Sequence, residues 1–229
     1  MTKAARFGVD PKLTAILGDA YSSSEKALCE LVDNAWDADA GYVWVTLPEP
    51  LTNTPIIIKD DGVGMTGREI REIYLKIAND RLSRSKDSRT AGKRRLVKGR
   101  KGIGKFAGLA AAHTMELETR SRGMLTQLSI NKSHLLTAGA RQDLEKIDLP
   151  LISSPVDKSD RGTTITLTDL DQSKEFPRPD VLRRLLVREY SREADFQVFV
   201  NGEPLTVSDV GGETRTTNFN HLDVGPVTI

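Results

Sequence analysis

What the chain is short of narrows its chemistry first. A single cysteine, Cys29, excludes an internal disulfide and fits a reducing compartment. It falls in an apolar helical pattern, where a thiol is packing rather than a nucleophile. Three histidines, His113, His134 and His221, stand far apart without metal-ligand spacing. Charge of one sign is also missing, since 33 basic residues face 32 acidic ones. No global field therefore draws nucleic acid or a membrane surface, and every charge argument is local. No run approaches the roughly 18 apolar residues of a membrane span. Nor does Met1 to Arg6 lead into an apolar signal segment, so the chain reads as soluble and cytosolic, with no membrane partner.

At 229 residues there is room for one large domain, or for one domain and the start of a second. Pro11 to Ala20 has helical spacing with Pro11 in the first turn. Ser22 and Glu25 have the spacing of a capping box, which predicts a helix from about Ser24 to Asp39. Tyr42 to Leu47 and Pro55 to Asp60 read as strands, and Thr66 to about Ile77 as a helix. Between Asp80 and Lys101 stand ten basic residues and two acids with few apolar ones, so no packed element is expected there.

Order returns at Gly102 to Ala112, a glycine-rich turn entering a helix. Thr114 to Arg120 and Met124 to Ile130 read as strands around a Ser-Arg-Gly turn. The polar stretch Asn131 to Arg161 has room for a strand and a short helix, and Thr163 to Thr168 alternates as a strand. Val181 to Tyr190 is an amphipathic helix with Asp180 as N-cap, and Phe196 to Val200 a strand closing on an Asn201-Gly202 turn. From about Ser208 the Gly, Thr and Asn content suggests a linker or the start of a further domain. Strands outnumber the connections that βαβ winding needs. The fold class is therefore α+β, a mixed sheet with helices on one face.

Four segments carry chemistry. Each helical residue turns by roughly 100°, so Glu30, Asn34 and Asp37 share one stripe, opposite Leu28, Leu31, Val32 and Ala35. Such a helix is ordinarily a surface helix. Here the stripe carries a carboxamide and no lysine or arginine, which suits a hard cation such as Mg²⁺, with a glutamate beside it to deprotonate water. Asp60 ends an apolar run and opens Asp60-Asp-Gly62-Val-Gly64-Met65. This is a plain strand-to-turn signal, or a carboxylate that accepts from an exocyclic amine beside glycines that admit a flat ring. Gly102-Ile103-Gly104-Lys105 opens a helix and is either a simple turn or a phosphate cradle. It matches neither a P-loop nor a dinucleotide fingerprint. The basic run before it, Arg81 to Lys101, holds no aromatic for base stacking. It reads first as a lid over a triphosphate, second as a lid that also binds nucleic acid, and third as a solvated loop.

Together these segments and Gly162-Thr163-Thr164 resemble the GHKL ATPase superfamily, which groups gyrase B, the ninety-kilodalton heat-shock chaperones, histidine kinases and MutL. The resemblance implies a Bergerat two-layer α/β sandwich over residues 23–200, behind an N-terminal arm of residues 1–22. Residues 201–229 would then begin a linker or transducer-like segment. It implies Glu30 as the base for water, Asn34 as magnesium ligand with Asp37 beside it at the cofactor, and Asp60 as the adenine-binding aspartate. Gly62, Gly64 and Met65 would line the base, Gly102, Ile103, Gly104, Lys105 and Phe106 would form the phosphate loop, and Thr163 would support Asp60. Glu30-Leu-Val-Asp-Asn-Ala-Trp-Asp-Ala looks most like the MutL and MORC branch, whereas Gly102-Ile-Gly-Lys-Phe-Ala is closer to the chaperone and MORC type. Histidine kinases lack the glutamate, so the resemblance implies hydrolysis of ATP with Mg²⁺.

It also implies an ATP-dependent homodimer and a C-terminal transducer domain that supplies a cation to the γ-phosphate, within a longer protein whose client the sequence leaves open among DNA ends, chromatin, a protein substrate and a defence-system partner. A non-hydrolysing ATP sensor or chaperone-like module, and a nucleic-acid-binding domain using the basic segment, are the other two readings.

Overall fold

The computed structural model describes residues 3–6, 23–49, 52, 54–75, 88–99, 104–134, 148–171, 177–210, 218–221 and 225–228. Helix α1 (Ser24–Asp37) forms where Ala27, Leu28, Leu31, Val32 and Ala35 make an apolar face, and all five are buried. Its cap is Ser23, not the expected Ser22, and the Ser23 hydroxyl accepts from the Lys26 N–H at 3.3 Å. Glu25 therefore does not close a capping box. Its carboxylate accepts instead from the Arg178 N–H at 3.0 Å, tying α1 to the helix α3 (Pro179–Tyr190). The chain turns out of α1 at Asp39, whose φ of 58° is left-handed, two residues after the helix ends.

Nine strands form one sheet: β1 (Lys3–Arg6), β2 (Tyr42–Thr46), β3 (Ile56–Asp60), β4 (Ala112–Ser121), β5 (Met124–Asn131), β6 (Asp148–Pro155), β7 (Gly162–Leu170), β8 (Gln197–Val200) and β9 (Glu203–Pro204). Their order is β1-β6-β5-β4-β7-β3-β2-β8-β9. All neighbours are antiparallel except β2 and β8, so the sheet is mixed, as expected. Two tight turns, Arg122-Gly123 and Asn201-Gly202, have positive φ at both residues, the geometry that matches strand twist. A separate hairpin joins β10 (Asn218–His221) to β11 (Gly225–Thr228).

Alternation along the strands sets the layers. Val45, Ile58, Ile165, Leu117 and Leu128 are successive cross-strand partners, all buried, and they pack with Leu28, Leu31, Leu109, Leu182 and Leu186 in one core. Helices α1 and α3 thus share the inner face of a two-layer α+β sandwich. The outer face carries Tyr42, Trp44 and Phe199, with ring centroids 5.9 and 6.1 Å apart. Toward one end the inner face turns polar: Asp60, Thr163, Thr119, Thr126 and Ser153 follow one another as direct partners across β3, β7, β4, β5 and β6.

Several expectations shift. Thr66 and Glu69 form a reciprocal capping box, but the helix they start, α2 (Gly67–Glu69), passes at once into a π-helical turn, Ile70–Tyr74. Gly104–Ala110 is a 3₁₀ turn rather than an α-helix, with Gly108 so close to β7 that a Cβ there would lie 2.5 Å from a Leu167 methyl. The N-cap of α3 is Arg178 without a side-chain bond. Asp180 sits inside the first turn and pairs with Arg178 and Arg184. Packing also runs past residue 200, since β9 joins the sheet and Arg183 grips both Asp209 oxygens and the carbonyls of Glu203 and Pro204. The helix expected at Pro11 to Ala20 lies outside the described residues.

Residues 88–99 overturn the expectation of no packed element between Asp80 and Lys101. Arg89 and Leu96 make an antiparallel bridge, and the strip is pinned along the C-terminal end of α1. The Trp36 indole donates to the Leu96 carbonyl, Asp39 accepts from the N–H groups of Gly92 and Lys93, and Asp37 from those of Lys98 and Gly99. Arg95, 6% exposed, donates to the Ala40 and Asp195 carbonyls with its guanidinium 4.4 Å from the Trp36 ring centre. A segment this basic packs because its cations meet carbonyls, carboxylates and aromatic faces.

Candidate functional site

Asp60 ends β3 on the inner, buried face. Its Oδ1 accepts from the N–H groups of Gly62 at 2.8 Å and Thr163 at 3.2 Å. Among the described residues its second oxygen makes no hydrogen bond. Burial pushes the Asp60 carboxyl up to about 7, against the two amide donors that lower it, with Asp61 adding to the rise. A carboxylate so placed is an acceptor held ready for a donor that replaces water.

Thr163 supports Asp60 through its backbone N–H. Its hydroxyl lies 3.2 Å from that of Thr119, which accepts from the Met65 N–H at 2.9 Å. Thr119 thus fixes the loop after β3, a part the sequence reading missed. Its signal was a threonine at an inward position of β4, where it is fully buried. Glycine is required twice in this loop. A Cβ on Gly62 would lie 2.7 Å from the Ala38 carbonyl, and one on Gly64, whose φ is 64°, only 2.0 Å from the Arg120 carbonyl. Met65 is half-buried and packs on the core.

Helix α1 carries the second half. Glu30 and Asn34 are half-buried, and a Cβ on Gly104 would come within 2.3 Å of Glu30 Oε2, so the glycine turn lies directly against the glutamate. The Asn34 side chain makes no hydrogen bond among the described residues. Glu30 also lines a groove of about 840 Å³ between α1, α3 and the 95–98 strip. There Tyr190 donates a short hydrogen bond to Asp33, and Lys98 sits 3.8 Å from the Tyr190 ring centre and 3.1 Å from Glu189. Burial raises the Asp33 carboxyl, and burial together with the neighbouring acids pushes the Cys29 thiol up to about 12, so it stays protonated.

Three expected contributors have partners within the protein. Asp37 spends both oxygens on the N–H groups of Lys98 (2.9 Å) and Gly99 (3.0 Å). Phe106 is 1% exposed, edge-on to Tyr74, and so belongs to the core. The Lys105 ammonium donates to the Ile73 carbonyl at 3.2 Å, while its own carbonyl accepts from the Tyr74 hydroxyl. Gly102 and Ile103 lie outside the described residues, as do Arg81, Arg84, Lys86, Arg100 and Lys101.

The donor set bears on a metal. No cluster of three His, Cys, Asp or Glu side chains able to hold an ion occurs among the described residues, so a cage built by protein alone is absent there. One carboxamide beside one glutamate fits Mg²⁺, which takes few protein ligands and completes its shell with water and phosphate. No helix among the described residues is long and apolar enough to cross a membrane.

The chain is 27% identical over 193 residues to the putative type II restriction enzyme HgiDII of Herpetosiphon aurantiacus, covering 82% of this chain and 30% of that protein. It is 27% identical over 204 residues to the mitochondrial heat shock protein 90-6 of Arabidopsis thaliana, covering 80% of this chain and 24% of the relative. The chaperone protein HtpG of Fusobacterium nucleatum is 26% identical over 212 residues, covering 83% and 32%. The chain therefore spans about a quarter to a third of the length of these curated relatives. Residues 21–163, which hold α1, Asp60, Gly104 and Thr163, match the family of histidine kinase-, DNA gyrase B- and HSP90-like ATPases, and the chain belongs to that family.

Proposed function

We propose that this chain is an Mg²⁺-dependent ATP-binding and ATP-hydrolysing module that operates a larger protein. The observation that carries the reading is a pair of features: a buried Asp60 with one oxygen unspent, and a Glu30 carboxylate on α1 against the Gly104 turn. In this reading the unspent Asp60 oxygen accepts the exocyclic amine of adenine, while Gly62, Gly64 and Met65 bring backbone and thioether against the ring. Backbone N–H groups of Gly102, Ile103 and Gly104 would hold phosphate oxygens, with Lys105 swinging from the Ile73 carbonyl to join them. Asn34 would hold the magnesium ion, which when bound neutralises phosphate charge. Glu30 orients the attacking water and takes its proton.

Glu30→Ala is the test. ATP turnover falls by about 10² or more, the usual worth of a positioned base, while ATP affinity stays within about threefold of the parent. A variant that turns over as fast as the parent sinks the assignment and leaves a nucleotide sensor.

The module's closure over ATP, its pairing with a second copy and the cation supplied by a following domain are parts of the same proposal. They accord with relatives three to four times longer than the matched region. The likeness to a putative restriction enzyme favours DNA-related work for the larger protein, and the likeness to HtpG a chaperone-like one. Direct nucleic-acid contact through Arg81 to Lys101 has less support, because Arg95 is buried and Lys93 and Lys98 are paired with Asp195 and Glu189.

A further inference from the structure

We infer that Asp37 is a positioning residue that sets the phosphate-binding turn against Glu30 without itself touching nucleotide or metal. The inference rests on the ATPase reading above and names how its phosphate end is held. Both Asp37 oxygens are engaged by consecutive backbone N–H groups, those of Lys98 and Gly99, and such a pair fixes a peptide plane in direction as well as distance. Gly99 is fitted to the carboxylate: a Cβ there would stand 2.9 Å from Asp37 Oδ2. Gly104, five positions on, is fitted in the same manner to Glu30, with its Cβ position 2.3 Å from Oε2.

Asp37 and Glu30 are themselves seven residues apart on α1, which at 1.5 Å per residue is about 10 Å along the axis and within about 20° of the same direction. One helix face thus meets the chain at two points, both at glycines, one before the phosphate-binding sequence and one within it. The strip before Gly99 cannot slide. Trp36, Asp39 and the buried Arg95 hold it to the end of α1, so Asp37 is the last of a series of anchors and the one next to the turn.

An anchor of this kind matters to the γ-phosphate end and leaves the base end alone. Among the described residues, Asp60, Thr163 and Thr119 make no hydrogen bond to residues 88–99.

Two substitutions loosen the anchor from opposite sides. Asp37→Asn keeps the shape but replaces one acceptor with a donor that faces an N–H. Gly99→Ala leaves Asp37 intact, and since the Gly99 φ is not positive the methyl strains no backbone and only displaces the carboxylate. Adenosine affinity should stay within about twofold in both, whereas the preference for ATP over ADP should collapse toward one and turnover should fall at least about tenfold. The double variant should lose no more than either single one, because both break the same contact.

Amide resonances of Gly104 and Glu30 should shift alike in both variants, a readout independent of turnover. Loss in Asp37→Asn with full activity in Gly99→Ala would show a direct ligand and overturn the inference. So would unmoved Gly104 and Glu30 resonances. Absence of turnover in the parent chain counts against the ATPase reading instead, and the resonances still decide the anchor.

Discussion

Replacing Asp60 by asparagine should make the empty protein more stable and the nucleotide site useless, and pH separates the two effects. Burial lifts the Asp60 carboxyl from its ordinary 3.8 to about 7. A carboxyl raised in the folded state costs nothing at low pH, where folded and unfolded chains both hold the proton. As pH rises past about 4 the unfolded chain ionises and the folded one resists, so wild-type stability declines until about pH 7 and then levels off. Roughly three units at ~1.36 kcal/mol each set a ceiling of ~4 kcal/mol for that decline. Asparagine keeps the carbonyl oxygen that accepts from Gly62 and Thr163 and carries no titration.

The stability difference between Asp60→Asn and the parent should therefore be near zero at pH 4 and rise to ~2–4 kcal/mol in favour of the variant at pH 8. Urea unfolding of both proteins at whole pH steps, without nucleotide, measures it. Adenosine binding should move oppositely. It vanishes in the variant, whose amide offers a donor to a donor, and in the parent it tightens as pH rises through about 7 and the acceptor ionises. A stability difference that does not change with pH would falsify the account of Asp60 as a carboxylate held protonated by burial.

Gly64→Ala should cost more than ~2 kcal/mol and abolish adenosine binding, because the left-handed backbone and a Cβ 2.0 Å from the Arg120 carbonyl leave the methyl no room. Thermal melts and a binding isotherm check it, and a well-folded Gly64→Ala protein that binds adenosine would refute the loop geometry. Arg95→Met removes a guanidinium from the Ala40 and Asp195 carbonyls and from the Trp36 face. Since Lys93 also reaches both carbonyls, the expected loss is ~1–3 kcal/mol, read by urea denaturation, with faster amide exchange across residues 90–99.

Local signals carried the sequence reading far where period and spacing decide. Glu30, Asn34 and Asp37 share a stripe because a helix turns by a fixed angle, and strands such as β4 and β7 alternate because one face is buried. The Asn201-Gly202 turn followed from its dipeptide alone. Partners distant in sequence were not legible. Asp37 falls on the acid stripe with Glu30 and Asn34, and nothing local in the sequence points to its backbone donors, which lie 61 and 62 residues away. Phe106 stands in a glycine-rich phosphate motif, but a 3₁₀ turn lays its ring on Tyr74. The basic segment read as unpacked because composition counts cations without showing that Trp36, Ala40 and Asp195 wait for them. Thr119 was invisible for a related reason: a lone threonine in a strand says nothing until its neighbours Thr163 and Met65 are known.

The C-terminal end of α1 has one more consequence. The Ala38 carbonyl accepts from the Val63 N–H and its backbone crowds Gly62, while one residue earlier Asp37 grips Gly99. Both the loop that would meet a base and the chain leading to the phosphates are thus referenced to a single rigid rod. A deletion of one residue inside α1 would rotate Glu30 away from Asp37 by about 100° and put the two ends of the ligand out of register. One added between Leu47 and Thr54, outside that rod, would leave the gauge unchanged. In the proposed ATP-binding reading the helix acts as a length standard, and the ligands admitted would be those whose span from ring to terminal phosphate matches it.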